Sequence, residues 1–527
     1  MTSRAASVAS EWVEAHAREV RSLQTAANLA GWRAATTGDG EEIRRSAEAR
    51  AALRRLYSSA EDAARVRDLL ETVGVEEPLL RRQLVLLDLA YTGNQLAAET
   101  IDDLSRREAA LEEIFYNFRA PFEGGEASNN QLLDVLRTER DGSRRRAAWE
   151  ASKRVGREVE GPLRELVRRR NAAARSLGFA NFYSMEMALQ EIDEEELFAL
   201  LDGFRSATDE AFAALRRGMD GALAARHGIS PDEVYPWHWE DFFCQEAPAI
   251  GTVDLDALFA QRDLVAIARA YFSSIGLPVD AVLDRSDLFE REGKDQHAFA
   301  TDIDREGDVR ILCNLRPNER WMSTLLHELG HAVYDAYIPR SLPYLLRMPA
   351  HTLSTEAIAM LMGRLTRSRD WLAREASVEV GEDDAGDIQR QLRLAMLVSA
   401  RWILVMVHFE RALYHDPDRP DLNALWWDLV EELQMVRRPP ERDEPDWAAK
   451  IHLALAPVYY HNYLLGEMMA SQLGAAIARE GDVGGFLRER LFSLGATLPW
   501  NEALVAATGE PLTPRHFISD FVTLPSS

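Results

Sequence analysis

Five consecutive residues, His327-Glu328-Leu329-Gly330-His331, have the types and spacing that a catalytic metal site needs. On a helix, two histidines four residues apart stand on one face and present their imidazoles to one point. Zinc binds such nitrogens readily, and its catalytic arrangement is three protein ligands plus a water. Glu328 follows the first histidine, where it can accept a proton from that water. The motif therefore predicts one Zn²⁺ per chain and metal-assisted hydrolysis.

The third ligand is expected to be Glu356, which begins the next helical stretch 25 residues after His331. A helix–loop–helix of that length can return a carboxylate to the metal. Two alternatives stay open. His351 has a spacing like that of thermolysin-type enzymes, and Asp335 could be a ligand or the acceptor for an imidazole N–H. Tyr337 occupies the position where a metzincin would place its third histidine.

The sequence around the motif is mainly helical. Apolar positions flank both histidines, and Pro339 ends that helix. Residues 8–34 are amphipathic with a helical period, and residues 40–120 continue the pattern. The best strand signal is a β-hairpin formed by residues 297–303 and 309–315. We expect a mainly α fold with a small antiparallel β element just before the metal-binding helix, in a single catalytic domain of residues 1–527.

Composition narrows the classes of partner. The chain has 61 Lys and Arg against 86 Asp and Glu, a formal net charge of −25, which disfavours nucleic acid and anionic membrane surfaces. Its only cysteines, Cys244 and Cys313, exclude a disulfide framework. We find neither a signal-peptide pattern at the N-terminus nor an uninterrupted apolar run of ~20 residues. The expectation is a cytoplasmic protein without a membrane partner.

Further blocks give the chain a family resemblance. Residues 290–527 resemble the angiotensin-converting-enzyme family of zinc peptidyl-dipeptidases, and more distantly thimet oligopeptidase and oligopeptidase F. The N-terminal half agrees mainly in helical character, and residues 177–183 and 235–237 look more like the oligopeptidases. Besides the metal motif, the matching blocks are His297-Ala298-Phe299-Ala300-Thr301-Asp302, Asn423-Ala424-Leu425-Trp426-Trp427, Lys450-Ile451-His452 and Tyr460-His461-Asn462-Tyr463.

The resemblance implies a helical ellipsoid with a deep central cleft, covered by lid helices from residues 1–120. It implies peptide substrates and release of C-terminal dipeptides. Tyr463 would donate to the oxyanion formed during hydrolysis, and His452 would hold the substrate backbone near the metal. Lys450 and Tyr460 would receive the terminal carboxylate of the substrate, with Tyr459 competing for the role of Tyr460.

The strand block carries a second set of expected substrate contacts. His297 would hold the substrate backbone near the metal, and Ala298 belongs to the same binding edge. An extended peptide could add to this edge through main-chain hydrogen bonds, which tolerate many sequences.

The sequence also departs from the family at several positions. Met360 stands where the family usually has an aspartate four residues after the glutamate ligand, so Asp335 is expected to take part in orienting a ligand instead. Val430 and Asn462 replace arginines that hold activating chloride in the converting enzymes. A buried anion without a cationic partner is costly, so chloride activation is not expected.

Three other functions stay open at this stage. An oligoendopeptidase of the thimet oligopeptidase or oligopeptidase F type would cut peptides internally. A metallohydrolase could act on another amide. A peptide-binding module could hold structural zinc, although such a module has no need of Glu328.

Overall fold

Helices dominate the protein. The computed structural model describes residues 4–72, 77–249 and 251–523. It is 70% helical, and its strands form two small antiparallel pairs. The prediction of a mainly α fold is confirmed.

The strands are β1 (Ala120–Phe122), β2 (Gly125–Ala127), β3 (Phe299–Asp302) and β4 (Val309–Leu312). The α-helices are α1 (Arg4–Thr37), α2 (Gly40–Tyr57), α3 (Ala60–Thr72), α4 (Pro78–Thr92), α5 (Ala98–Asn117), α6 (Asn129–Thr138), α7 (Gly142–Lys153), α8 (Val155–Ser176), α9 (Phe182–Leu189), α10 (Glu194–His227), α11 (Leu255–Phe259), α12 (Leu264–Ser274), α13 (Asp280–Leu283), α14 (Glu319–Tyr337), α15 (Thr352–Gly363), α16 (Arg369–Arg374), α17 (Glu382–His415), α18 (Leu422–Leu429), α19 (His452–Leu455), α20 (His461–Glu480), α21 (Val483–Phe486), α22 (Trp500–Thr508) and α23 (Arg515–Phe521).

Local sequence signals set the ends of these helices. α10 runs for 34 residues, and Asp193 caps its N-terminus by accepting from the backbone N–H of Glu196. Three glutamates in its first turn complement the helix dipole. Gly228, with a φ of 66°, ends the helix in the left-handed conformation that glycine adopts at low cost.

The chain divides into two compact units. Unit 1 comprises residues 1–95, 253–385 and 465–517, and unit 2 comprises residues 96–252, 386–464 and 518–527. Unit 1 contains the predicted metal motif and α1–α4, whereas α5, which lies within the predicted lid region, belongs to unit 2. The single catalytic domain and the lid both stay predictions.

The predicted hairpin in unit 1 is present but shorter than expected. β3 pairs with β4 from Phe299 opposite Leu312 to Asp302 opposite Val309. The backbone N–H of His297 bonds instead to the side chain of its neighbour Asp295, so the strand begins later than predicted. Beyond β4, the chain pairs with the segment at 287–288. The hairpin therefore has four residues on each side.

α1 supports this hairpin from within unit 1. Trp32 is buried and packs edge-to-face on Phe299, with ring centroids 6.0 Å apart. Asn28, one turn earlier, donates to the backbone carbonyl of Asp302 at 2.8 Å. The hairpin that precedes the metal motif is thus fixed by both an apolar and a polar contact.

α17 contributes many buried residues to unit 2. This helix is long and apolar enough to cross a membrane by length and composition, with a mean hydropathy of 1.6 in its most apolar window. The protein itself buries 67% of that window, as expected for the core helix of a large domain. The absence of a membrane partner stays a prediction.

Candidate active site

Two helices of unit 1 build the candidate metal centre. α14 carries His327 and His331 one turn apart, and Asn318 caps it by accepting from the backbone N–H of Trp321 at 2.9 Å. α15 carries Glu356 one turn after its start. The two helices pack together closely, so a short connection returns the carboxylate to the histidines.

Gly330 explains how closely these helices approach. A β-carbon built at this position would lie 2.7 Å from Cα of Ala359 and 3.0 Å from its backbone nitrogen, both on α15. Real β-carbons do not come so near to backbone atoms. The glycine within the five-residue motif is therefore required by packing, in addition to any role of its neighbours in chemistry.

The three expected ligands converge. One side-chain ligand atom each of His327, His331 and Glu356 lies within 4.8 Å of the other two. Oε2 of Glu356 is 3.7 Å from Nε2 of His327 and 3.9 Å from Nε2 of His331. Two imidazole nitrogens and one carboxylate match the ligand types and number of a catalytic zinc site. The donor set therefore fits a zinc ion.

A hydroxyl on α15 orients one of the imidazoles. Nδ1 of His331 lies 2.8 Å from Oγ1 of Thr355, which leaves Nε2 directed to Glu356. Such a partner on the second ring nitrogen fixes the orientation of a metal-binding histidine. Sequence analysis assigned a role of this kind to Asp335, but the structure places Thr355 at this nitrogen.

Burial shifts the pKa values of the three expected metal ligands. Desolvation lowers the pKa of His327 to about 4, and desolvation together with His327 lowers the pKa of His331 to about 3. Both imidazoles are therefore neutral at pH 7, as metal binding requires. Desolvation and the charge of Glu467 raise the pKa of Glu356 to about 7. A divalent cation would offset the cost of this buried carboxylate.

Glu328 lies on the metal-binding helix α14 and contacts β3 of the hairpin. Only 7% of this residue is exposed. Desolvation and the charge of Glu356 raise its pKa to about 8, while a hydrogen bond with the backbone of Ala300 on β3 acts in the opposite direction. The hairpin thus positions the carboxylate that is expected to act as the base.

The two rival ligands, His351 and Asp335, have other environments, as does Tyr337 at the metzincin position. His351 caps α15, with its Nδ1 accepting from the backbone N–H of Leu353 at 3.0 Å. The hydroxyl of Tyr337 donates to the carbonyl of Pro278 at 3.1 Å. Desolvation and the nearby carboxylate of Asp302 raise the pKa of Asp335 to about 7. None of these three belongs to the cluster of converging ligand atoms found in the described part of the chain.

Unit 2 holds the residues expected to receive a terminal carboxylate. Nζ of Lys450 donates to Oε1 of Gln245 at 2.6 Å and lies 5.8 Å from the ring centroid of Tyr460. Only 7% of Lys450 is exposed, and desolvation lowers its pKa to about 8. Sequence analysis missed Gln245, which lies 205 residues before Lys450 and has no local pattern that could have identified it.

The other expected residues of unit 2 cluster beside this lysine. The ring of His452 is 5.1 Å from that of Tyr460, and Tyr463 packs edge-to-face on both Tyr459 and Tyr460. Desolvation and Lys450 lower the pKa of His452 to about 4. Its Nδ1 has no hydrogen-bond partner within residues 4–72, 77–249 and 251–523. Of the two competing tyrosines, Tyr460 has its ring centroid 5.8 Å from Nζ of Lys450.

The remaining candidates lie in unit 1, ahead of β3. His297 is exposed and Ala298 is half-buried. They directly precede β3, the strand whose Ala300 backbone contacts Glu328. The structure therefore groups the candidates into a metal set in unit 1 and a lysine–tyrosine set in unit 2.

Comparisons with known proteins find similarity along most of the chain. A family model described as angiotensin-converting enzyme (Peptidase_M2) matches residues 3–212 and 255–515. Among curated proteins, the chain is similar to an angiotensin-converting enzyme of Haematobia irritans exigua, with 27% identity over 48% of this chain and 46% of the relative. It is also similar to that of Sus scrofa, with 24% identity over 72% of this chain and 32% of the relative.

A third relative is the angiotensin-converting enzyme-like protein Ace3 of Mus musculus, with 22% identity over 75% of this chain and 59% of the relative. The chain thus spans between about a third and about three fifths of the length of these relatives. The family match, by contrast, extends through both units, and so the protein belongs to the angiotensin-converting enzyme family of peptidases.

Proposed function

We propose that this chain is a zinc metallopeptidase that removes dipeptides from the C-termini of peptides. The observation that carries the proposal is the convergence of His327, His331 and Glu356, with Glu328 next to the first of them. A structural zinc site would not need Glu328, a carboxylate placed to act as a base. Membership of the angiotensin-converting enzyme family supports the same reaction class.

Different residues of the chain have separate roles in hydrolysis. Zinc, when bound by His327, His331 and Glu356, supplies a Lewis acid that lowers the pKa of a water and polarises a carbonyl group. Glu328 accepts the proton of the attacking water and delivers it to the leaving amine. Tyr463 donates its phenol O–H to the oxyanion, because a neutral donor stabilises developing charge without adding a charge of its own.

The substrate contacts follow the family resemblance. His452, His297 and Ala298 hold the substrate backbone. Lys450 is the cation for the terminal carboxylate, since its ammonium is buried and its hydrogen bond among the described residues is to the neutral amide of Gln245. The terminal carboxylate of a substrate would supply a negative counter-charge for this ammonium group.

The first test separates chemistry from folding. Glu328→Gln is expected to retain zinc and the folded state while kcat falls by ~10²-fold or more, the scale of a lost general base. Glu356→Ala should instead lose zinc. Glu48→Gln, on the exposed surface of α2, is the matched control and should change neither property. Metal analysis and a peptide assay decide, and turnover by a zinc-free protein would refute the proposal.

The second test concerns the position of cleavage. A ten-residue peptide with a free C-terminus is digested, and the products are identified by mass spectrometry. Successive release of C-terminal dipeptides, abolished by amidation of the terminus, is the expected result. Dominant internal cuts that ignore amidation would assign the protein to the oligoendopeptidases instead.

A further inference from the structure

The connection between α19 and α20 leads to the tyrosine that is expected to bind the oxyanion, and its backbone is strained. The connection spans residues 456–460 of unit 2, and Tyr463 lies in the first turn of α20. Val458, within the connection, has a φ of 52°, in the left-handed region that a β-branched residue rarely adopts. Such a conformation is costly and persists only where the surrounding structure holds it.

Side chains from two other parts of unit 2 hold Val458 on both sides. Its backbone N–H donates to Oε1 of Glu410, a buried residue of α17, at 2.9 Å. Nε2 of Gln190, the residue that follows α9, donates to the carbonyl oxygen of Val458 at 3.2 Å. Contacts between elements therefore fix the strained conformation.

Gln190 also contacts the two residues immediately before Tyr463. Its Oε1 lies 3.0 Å from Nε2 of His461 and accepts from Nδ2 of Asn462 at 3.0 Å. Both partners are buried, so a hydrogen bond lost there is costly. One amide side chain thus ties the carbonyl of Val458 to the first turn of α20.

These contacts determine where the ring of Tyr463 lies. The backbone N–H of Tyr463 donates to the carbonyl of Tyr460 at 3.2 Å. Its ring packs edge-to-face on those of Tyr459 and Tyr460, with centroids 5.3 Å and 5.5 Å apart. A displaced backbone at Val458 would move this packed set, and a misplacement of ~1 Å can lower a catalytic rate by ~10²-fold.

We propose that Gln190 is a positioning residue that holds Tyr463 where its phenol can donate to the oxyanion. It acts through the backbone of Val458 and the side chains of His461 and Asn462. The inference rests on the proposed function, because the position of Tyr463 matters for the rate only if an oxyanion forms. Gln190 should therefore contribute to the stability of the transition state and little to the binding of substrate.

The kinetic test uses Gln190→Met in the zinc-loaded full chain. Methionine is close to glutamine in length but cannot make the three hydrogen bonds of this amide. We expect kcat to fall by roughly ten- to a hundred-fold and KM to change by less than about three-fold, because the oxyanion forms only during the reaction. A kcat equal to that of the wild-type enzyme would overturn the inference.

Gln190→Glu is the conservative variant. It keeps an acceptor for His461 and Asn462 and loses the donor to Val458, so its kcat should lie between those of Gln190→Met and the wild type. Thermal unfolding and metal analysis establish that both variants are folded and bind zinc. If Gln190→Met does not fold, Gln190→Glu replaces it in each measurement.

A double-mutant cycle distinguishes positioning from general support of the fold. Tyr463→Phe should lose ~10²-fold or more in kcat, and adding Gln190→Met to it should change kcat by less than about two-fold. Losses that multiply, or a Tyr463→Phe variant as fast as the wild type, would overturn the inference. The matched control is Gln472→Met, since this buried amide of α20 donates to the carbonyls of Glu510 and Pro511 at 3.1 Å and 3.2 Å. It should lower thermal stability without lowering kcat.

Hydrogen exchange separates the inference from the proposed function, because it needs no substrate. The backbone N–H groups of Val458, Asn462 and Tyr463 are hydrogen-bonded, so they exchange slowly while the connection is held. Gln190→Met should accelerate their exchange by about ten-fold or more, and Gln472→Met should not. Faster exchange in Gln190→Met, with no peptide cleaved by the wild type, would keep Gln190 as the residue that holds the connection and refute the peptidase. Cleavage of peptides together with unchanged exchange would keep the peptidase and overturn the role of Gln190.

Discussion

Gly330→Ala is the substitution that most directly tests how packing builds the metal centre. The added β-carbon would lie 2.7 Å from Cα of Ala359, against about 3.4 Å for ordinary van der Waals contact. Backbone atoms cannot rotate away, so α14 and α15 must separate by about 0.7 Å. Glu356 lies on α15, three residues before Ala359, and would move with it.

Two opposing effects set the size of the change. Replacing a helical glycine by alanine gains ~1 kcal/mol of helix propensity. Overpacking a filled interface costs ~1–3 kcal/mol, so the net change in the free energy of unfolding is a loss of up to ~2 kcal/mol. Zinc–ligand distances tolerate only ~0.2 Å, so a shift of about 0.7 Å should reduce zinc affinity by ten-fold or more.

Gly203→Ala provides the control. Gly203 lies in α10, is exposed, and has no atom within 4 Å of a built β-carbon. This substitution should gain ~1 kcal/mol of stability and leave zinc affinity unchanged. Chelator competition and thermal unfolding measure both quantities. If Gly330→Ala binds zinc like the wild-type protein and gains stability like the control, the close approach of α14 and α15 does not position Glu356.

Three further predictions concern single contacts. Thr355→Val removes the hydroxyl at Nδ1 of His331 and should weaken zinc affinity by ~10–100-fold, measured by chelator competition. Lys450→Ala should lower kcat/KM by roughly ten- to a hundred-fold on peptides with a free carboxylate and change little on amidated ones. Chloride should not raise the rate at constant ionic strength, because Val430 and Asn462, both buried, stand where the family has arginines. A steep rise with chloride would contradict this expectation.

The metal set could be predicted because its signals are local. The spacing of His327 and His331 matches one helical turn, and apolar neighbours indicate a buried helix. Glu356 begins the following helix, where a short connection can return it. The hairpin could also be predicted from the sequence, because the turn around Gly307 separates two apolar runs. The shorter length of the hairpin could not be predicted, because it depends on a hydrogen bond from the backbone N–H of His297 to the side chain of Asp295.

Other features depend on contacts that no local pattern encodes. The sequence pointed to Asp335 as the residue that orients a metal-binding imidazole. It did not indicate Thr355, because a hydroxyl residue next to a ligand forms no distinctive pattern. Gln245 meets Lys450 across 205 residues. The hairpin of β1 and β2 has only three residues on each side, around a turn in which Glu123 and Gly124 have positive φ. Such a pair is too short for an alternating pattern to appear.

Burial gives the metal centre of unit 1 its need for a positive charge. Desolvation raises the pKa of Glu356 to about 7 and that of Glu328 to about 8, and the charge of Glu356 adds to the shift of Glu328. Burying a carboxylate without a counter-charge opposes folding, so stability alone does not account for two such residues at one place. A divalent cation bound by His327, His331 and Glu356 would offset this cost, which joins the stability of the centre to its expected chemistry.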